Sequence, residues 1–112
     1  MPNPIVAVRR VKSGDREHTV HYYWCPGCPG LHGVAIRPDT FDNGAGWIFT
    51  GTLERPTYAP SQLTTYGGDG SRRCHTFIRD GMIEFLSDCT HAMAGKTVPL
   101  PPLPDWMVGD EK

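Results

Sequence analysis

The sequence has little charge of either sign in excess. It carries 11 Lys and Arg against 12 Asp and Glu, a net charge of −1. No basic block is present to neutralise phosphates, so neither a nucleic-acid nor a membrane-surface partner is expected. Long apolar runs are missing as well. No stretch approaches the roughly 18 residues of a membrane span. The opening MPNPIVAVRRVKSGDREHTV has only the short apolar run Ile5–Val8 before charges begin, unlike a secretory signal. A cytoplasmic location is the resulting expectation. There, four cysteines bind metal or stay reduced more often than they pair. Also missing are His-Glu-x-x-His and the His-x-Glu…Pro-Cys-x-x-Cys pattern of zinc deaminases, which removes the standard zinc-hydrolase motifs.

Turn-forming residues are abundant. With 13 Gly and 11 Pro in 112 residues, about a fifth of the chain is Gly or Pro, against roughly 12% in an ordinary protein. That favours short strands over long helices. The length suits one domain with one modest core, a size at which a metal or a disulfide often serves as a staple. The expected fold is mostly β: a small, single-domain, zinc-stapled antiparallel fold built from hairpins, with at most one or two short helices. The domain is placed at residues 1–98, followed by a proline-rich tail at 99–112.

Alternation marks the strands. IVAVRRV and HTVHYYWC flank a turn at Ser13-Gly14-Asp15, and Leu31–Arg37 forms a third strand. Phe41–Gly46 reads as loop, and Trp47–Gly51 as a strand with Trp47 and Phe49 on one face. Two prolines in Arg55–Ser61 suggest an extended edge or a loop and argue against a central strand. Gln62–Tyr66 is a strand candidate, and Gly67-Gly68-Asp69-Gly70 a mobile loop. The clearest hairpin joins Cys74–Arg79 to Met82–Cys89 through Asp80-Gly81. His91–Gly95 reads as one helical turn closed by Gly95, and Val98–Trp106 as polyproline II lying across the surface or disordered at its tip.

The densest chemical signal is Trp24-Cys25-Pro26-Gly27-Cys28. A zinc knuckle needs two thiolates on a tight turn whose N–H groups point at the sulfurs, and Cys-Pro-Gly-Cys supplies one. A thioredoxin-type dithiol would open a helix, but Pro29-Gly30 follows here. Partners for the pair come from His32, Cys74, His75, Cys89 and His91. The favoured ligands of a Zn²⁺ ion are Cys25, Cys28, Cys74 and His32, with Cys89 or His91 able to replace His32. Hairpin register bears on the choice. A two-residue Asp80-Gly81 turn projects Cys74, Ser87, Cys89 and His91 together, with His75 and Asp88 opposite. A three-residue loop puts His75 with Cys89 and His91, and Cys74 beside Asp88.

Four residues remain for catalysis: Ser61, His75, Asp88 and His91. His75 or His91 would serve as general base, Asp88 would orient it, and Ser61 would be the nucleophile. The alternative is structural, with Asp88 capping the turn at His91, Ser61 ending a loop and His75 packing. A metal-hydrolase variant would keep three protein ligands and use Asp88 or His91 as proton shuttle.

Three stretches, WCPGCPGLH (24–32), GWIFTGTLERPTYAPS (46–61) and CHTFIRDGMIEFLSDCTHAMAG (74–95), together resemble one family of small bacterial and phage proteins. Its members are often labelled "ammonia monooxygenase" in phage genomes, although that enzyme is a membrane copper complex. Relatives in bacterial ubiquitin-like conjugation operons look like peptidases that remove or mature the tag. The resemblance picks out Cys25, Cys28, His32, Pro56, Thr57, Ser61, Cys74, His75, Asp88 and His91. The chain departs at Thr50-Gly51, where the pattern has Asn-Gly and a side-chain amide could serve as an oxyanion donor. The resemblance implies a zinc-binding hydrolase of peptidase type acting on a ubiquitin-like protein tail in the cytoplasm (the host's, if phage-encoded). The competing expectation is a non-catalytic phage zinc-binding module that engages a host or phage protein.

Overall fold

The computed structural model describes residues 3–68 and 70–108. Met1 and Pro2, Asp69 of the glycine-rich loop and the last four residues of the 99–112 tail lie outside the described residues.

Local chemistry builds a first hairpin. Strands β1 (Ala7–Ser13) and β2 (Arg16–Cys25) pair antiparallel. The two-residue Gly14-Asp15 turn begins with Gly14 at φ 62°, a conformation that glycine adopts without Cβ strain. Past the Cys25–Cys28 turn, β3 (Gly30–Ala35) returns along β2 and completes a three-stranded sheet, order β1-β2-β3.

A second sheet runs β4 (Ile48–Gly51), β5 (Pro56–Tyr66), β6 (Arg72–Arg79), β7 (Met82–Phe85) and β8 (Thr97–Pro99), hydrogen-bonded in that order. The β6–β7 register pairs Arg79 with Met82, so the hairpin turn has two residues. Asp80 (φ 52°) and Gly81 (φ 78°) are both left-handed, as a type I′ turn requires. A parallel bridge from Ile36 to Trp47 ties the two sheets together. Mostly β architecture with minimal helix is therefore what the chain adopts.

Three expectations need correction. The Arg55–Ser61 stretch was expected at an edge or in a loop, yet β5 is the second strand of five. Its prolines are tolerated because of where pairing stops. β4 reaches only Ala59, and the β5–β6 register breaks between Tyr58 and Gln62, so Pro60 faces no ladder that needs its missing N–H. His91–Gly95 forms a hydrogen-bonded turn, Ala94 N–H to His91 O at 3.2 Å, with Gly95 at φ 79°, and not a helical segment. The chain from Val98 is not polyproline II throughout. Val98 pairs with Ile83 in β8, and α1 (Asp105–Val108) adds a helical turn.

The core lies between the sheets. Tyr23 and Cys25 of β2, Val34 of β3, Tyr58 of β5, Cys74 and Ile78 of β6, and Ile83 and Phe85 of β7 are all buried there. Each large apolar side chain so placed contributes about 1.5–3 kcal/mol. β2 is buried on its inner face and partly covered on the other. Its Tyr22 and Trp24 point away from the main core and pack, with Leu31, against Ala7, Leu103 and Met107. The C-terminal segment thus covers the outer face of the three-stranded sheet, anchored where Leu103 N–H donates to Pro4 O at 2.9 Å. Among the described residues, no helix is long and apolar enough to cross a membrane.

Candidate catalytic and metal-binding site

Two side-chain groups meet on either face of β6. On the face toward the three-stranded sheet, Cys25, Cys28, His32 and Cys74 bring one donor atom each within 4.8 Å of one another. Three elements converge there: the turn after β2 supplies Cys25 and Cys28, β3 supplies His32, and β6 supplies Cys74. Cys25 Sγ and Cys74 Sγ stand 3.7 Å apart. Two thiolates on one tetrahedral ion with bonds of about 2.3 Å stand about 3.8 Å apart. His32 turns Nε2 toward Cys28 Sγ at 3.1 Å, while its Nδ1 bonds Thr64 Oγ1 at 3.2 Å. Such an outer contact fixes the ring's orientation for ligation. The donor set therefore fits a thiolate-seeking metal ion.

The thiols are coupled. Cys25 is lowered to about 4, first because Cys74 donates to its thiolate, with His32 and the Cys28 N–H adding to this against the effect of burial. Cys28 is raised to about 11, first by burial and then by the Cys25 charge. Cys74 is raised too, chiefly because its proton is held in the bond to Cys25. A cluster that crowds several thiols around one favoured thiolate is one that a cation would relieve.

Cys74 also belongs to a smaller group with Cys89 and His91. His91 Nδ1 accepts the Met93 N–H at 3.2 Å, which places the ring proton on Nε2, and Nε2 lies 3.4 Å from Cys74 Sγ. His91 thus directs an N–H toward a cluster sulfur. Its ring packs edge-on to Phe85 and fills the space over Gly27, where a Cβ would come within 2.5 Å of His91 Cε1. Cys89 Sγ accepts the His75 N–H at 3.2 Å and lies 3.3 Å from the His75 carbonyl oxygen.

On the other face, Ser61 of β5 places Oγ 3.1 Å from His75 Nε2. His75 Nδ1 lies 3.1 Å from Asp88 Oδ2. Segment 86–90 holds that carboxylate in place by continuing along β6 where β7 ends. Leu86 N–H bonds His75 O at 2.9 Å, and Thr90 bonds the Arg73 carbonyl through N–H at 3.0 Å and takes the Arg73 N–H on Oγ1 at 2.8 Å. Arg73 Nη1 stands 3.9 Å from Asp88 Oδ2. Ser61 is fixed on its own strand, where its carbonyl accepts the Trp47 indole N–H at 3.3 Å.

The geometry matches the two-residue hairpin turn: Cys74, Cys89 and His91 cluster together, and His75 meets Asp88 on the opposite face. Of the four residues considered for catalysis, three are joined by hydrogen bonds, and His91 is drawn to the thiols. Thr50-Gly51, considered for an oxyanion contact, pairs with Thr57 and Pro56. At about 3.3 Å per residue, Thr50 is roughly 13 Å along β5 from Ser61. Its neighbour Gly51, at φ 84°, has its Cβ position 2.6 Å from Arg55 O, which marks a tight turn. The contacts of Thr64 and Arg73 were not foreseen, since no local motif signals bonds that form between strands.

Fold and site together define a small two-sheet β protein in which a Ser–His–Asp chain of hydrogen bonds backs onto a cysteine–histidine cluster able to hold a metal ion. A family model described as "Bacterial ubiquitination-like system serine protease (BubE)" matches residues 2–86. The chain belongs to that family. Comparison with curated proteins and with solved structures finds no match.

Proposed function

We propose that this protein is a serine peptidase of a ubiquitination-like conjugation system, cleaving the acyl bond that follows the tail of a ubiquitin-like protein. The observation that carries the reading is the continuous contact from Ser61 Oγ through His75 to Asp88, each side chain drawn from a different chain segment. His75 Nε2 takes the Ser61 proton as Oγ attacks the substrate carbonyl. Asp88 holds Nδ1–H and stabilises the imidazolium that results. The proton then passes to the departing amine, leaving an acyl-serine, and water activated by His75 hydrolyses it.

The cluster of Cys25, Cys28, His32 and Cys74 is proposed to hold Zn²⁺ as a structural ion. Four protein donors complete a tetrahedral shell, and the ion's contribution is to staple the β2–β3 turn to β6, next to His75. Its chemistry belongs to stability and positioning. Cys25, Cys28, Cys74 and Cys89 are all unpaired thiols, which suits a cytoplasmic setting.

The test is covalent labelling by a small alkyl fluorophosphonate followed by peptide mass mapping. The adduct is expected on Ser61 and should vanish in Ser61→Ala and His75→Ala. No adduct, or an adduct elsewhere, in a metal-loaded and folded protein would refute the serine reading. It would favour instead a non-catalytic zinc module that engages a partner protein.

A further inference from the structure

Backbone directions along β5 follow from its neighbour. The His75 and Arg73 carbonyls accept Leu86 and Thr90 N–H on the β7 side of β6, and their own N–H groups bond Cys89 Sγ and Thr90 Oγ1 on that same side. In an antiparallel ladder the direction alternates residue by residue. Cys74 and Thr76 therefore point their main-chain groups at β5, to Thr64 and Gln62 in the observed register. It follows that Leu63 and Thr65 point their N–H and C=O groups the other way, out of the sheet. β4 does not cover them, because its pairing with β5 ends at Ala59. Among the described residues none of these four groups has a partner.

This open ladder adjoins the serine. Leu63 stands directly opposite His75 and is 55% exposed, an apolar side chain at the lip of the site. A groove of about 350 Å³ follows the same edge, lined by Cys28, Leu31, His32, Gly33, Thr64 and Tyr66. At its Ser61 end the Trp47 indole takes the Ser61 carbonyl and closes the ladder. Alternating unpaired donors and acceptors at strand spacing match one ligand chemistry, an extended polypeptide main chain.

We propose that the Leu63–Thr65 edge of β5 binds the substrate tail as an added β-strand and so delivers its scissile carbonyl to Ser61. This rests on the serine-peptidase reading. The bound residues are those on the acyl side of the cleaved bond, since the tail of a ubiquitin-like substrate precedes that bond. Specificity for extended, unfolded tails follows from the main-chain pairing, and alternate tail residues would face the groove and Leu63.

Two probes with the same warhead test it: an N-acetylated single-residue aminoalkyl diphenyl phosphonate and an equimolar library of tetrapeptidyl diphenyl phosphonates. On wild type the tetrapeptides should label Ser61 about tenfold faster or more, the worth of a few main-chain hydrogen bonds. Thr65→Pro removes an outward N–H without touching the β6 ladder, and a proline is tolerated at such a position. It should erase the length advantage and leave single-residue labelling unchanged. Equal labelling by both probes on wild type, or an undiminished advantage in Thr65→Pro, would overturn the proposal. Failure of the single-residue probe on wild type would overturn the serine reading, and the edge proposal with it. Should Thr65→Pro fail to fold, amide hydrogen exchange on wild type decides. Leu63 and Thr65 amides should gain protection in the tetrapeptidyl adduct but not in the single-residue adduct, and no gain refutes the proposal.

Discussion

Asp88→Asn isolates the orienting carboxylate. Asp88 accepts from His75 Nδ1 at 3.1 Å through Oδ2, with Oδ1 at 3.3 Å. Its side chain is 42% exposed, and Arg73 approaches Oδ2 at 3.9 Å. A carboxylate stabilises an imidazolium about 4 Å away by about 1 kcal/mol in water and about 4 kcal/mol near a protein surface. Asp88 sits between those limits, since solvent and the Arg73 charge both screen it. Removing the charge should therefore cost about 2–3 kcal/mol in the transition state, roughly a hundredfold in rate at 1.36 kcal/mol per decade. The loss should be smaller than the ~10⁴-fold of a fully buried triad, because an exposed Asn can flip its amide and still accept from Nδ1–H. The assay is the second-order rate of Ser61 labelling by the fluorophosphonate, with Ser61→Ala as the floor. A Asp88→Asn rate within threefold of wild type would show that Asp88 does not support His75. A rate at the floor would show that the screening argument is wrong.

Metal analysis separates the two cysteine–histidine groups: Cys25→Ser and His32→Ala should lose bound zinc and melt at lower temperature, whereas Cys89→Ser should keep a full equivalent; zinc lost only in Cys89→Ser would reassign the ligands. Gly27→Ala drives a Cβ to within 2.5 Å of His91 Cε1 and 2.9 Å of Phe85 Cε1, and should cost about 1–3 kcal/mol in urea unfolding. An unchanged midpoint would show that the Cys25–Cys28 turn does not press on His91. Leu103→Ala removes a side chain only 1% exposed and should cost about 2–5 kcal/mol. A neutral result would mean that the segment carrying Leu103 and Met107 does not cover the three-stranded sheet.

Features set by neighbouring residues could be read from the sequence. The Cys-Pro-Gly-Cys turn and the Asp80-Gly81 turn are decided within a few residues, the latter by the left-handed φ that Asp80 and Gly81 adopt. Alternation located most of the strands for the same reason, since a period of two reports which face is buried. The prolines of Arg55–Ser61 misled because their penalty depends on what pairs with them, and at Pro60 nothing does. Val98–Trp106 reads from its sequence as polyproline II across the surface or disordered at its tip, and only the outer faces of Tyr22 and Trp24 gave Leu103 and Met107 a place to bury.

Composition and motif chemistry by themselves determined a small, turn-rich β protein with a cysteine–histidine set able to hold a metal ion and a short set of catalytic candidates. Tertiary structure decided how that set divides. Ser61 and His75 lie 14 residues apart and His75 and Asp88 lie 13 apart, so their contacts depend on the register of β5 against β6 and on where segment 86–90 returns. Register also sends Cys74 to one face and His75 to the other, and so fixes which histidine meets the serine and which meets the thiols. The open edge beside Ser61 exists only because β4 stops at Ala59. Hydrogen-bond partners between strands are chosen by the whole sheet, and no local spacing encodes them.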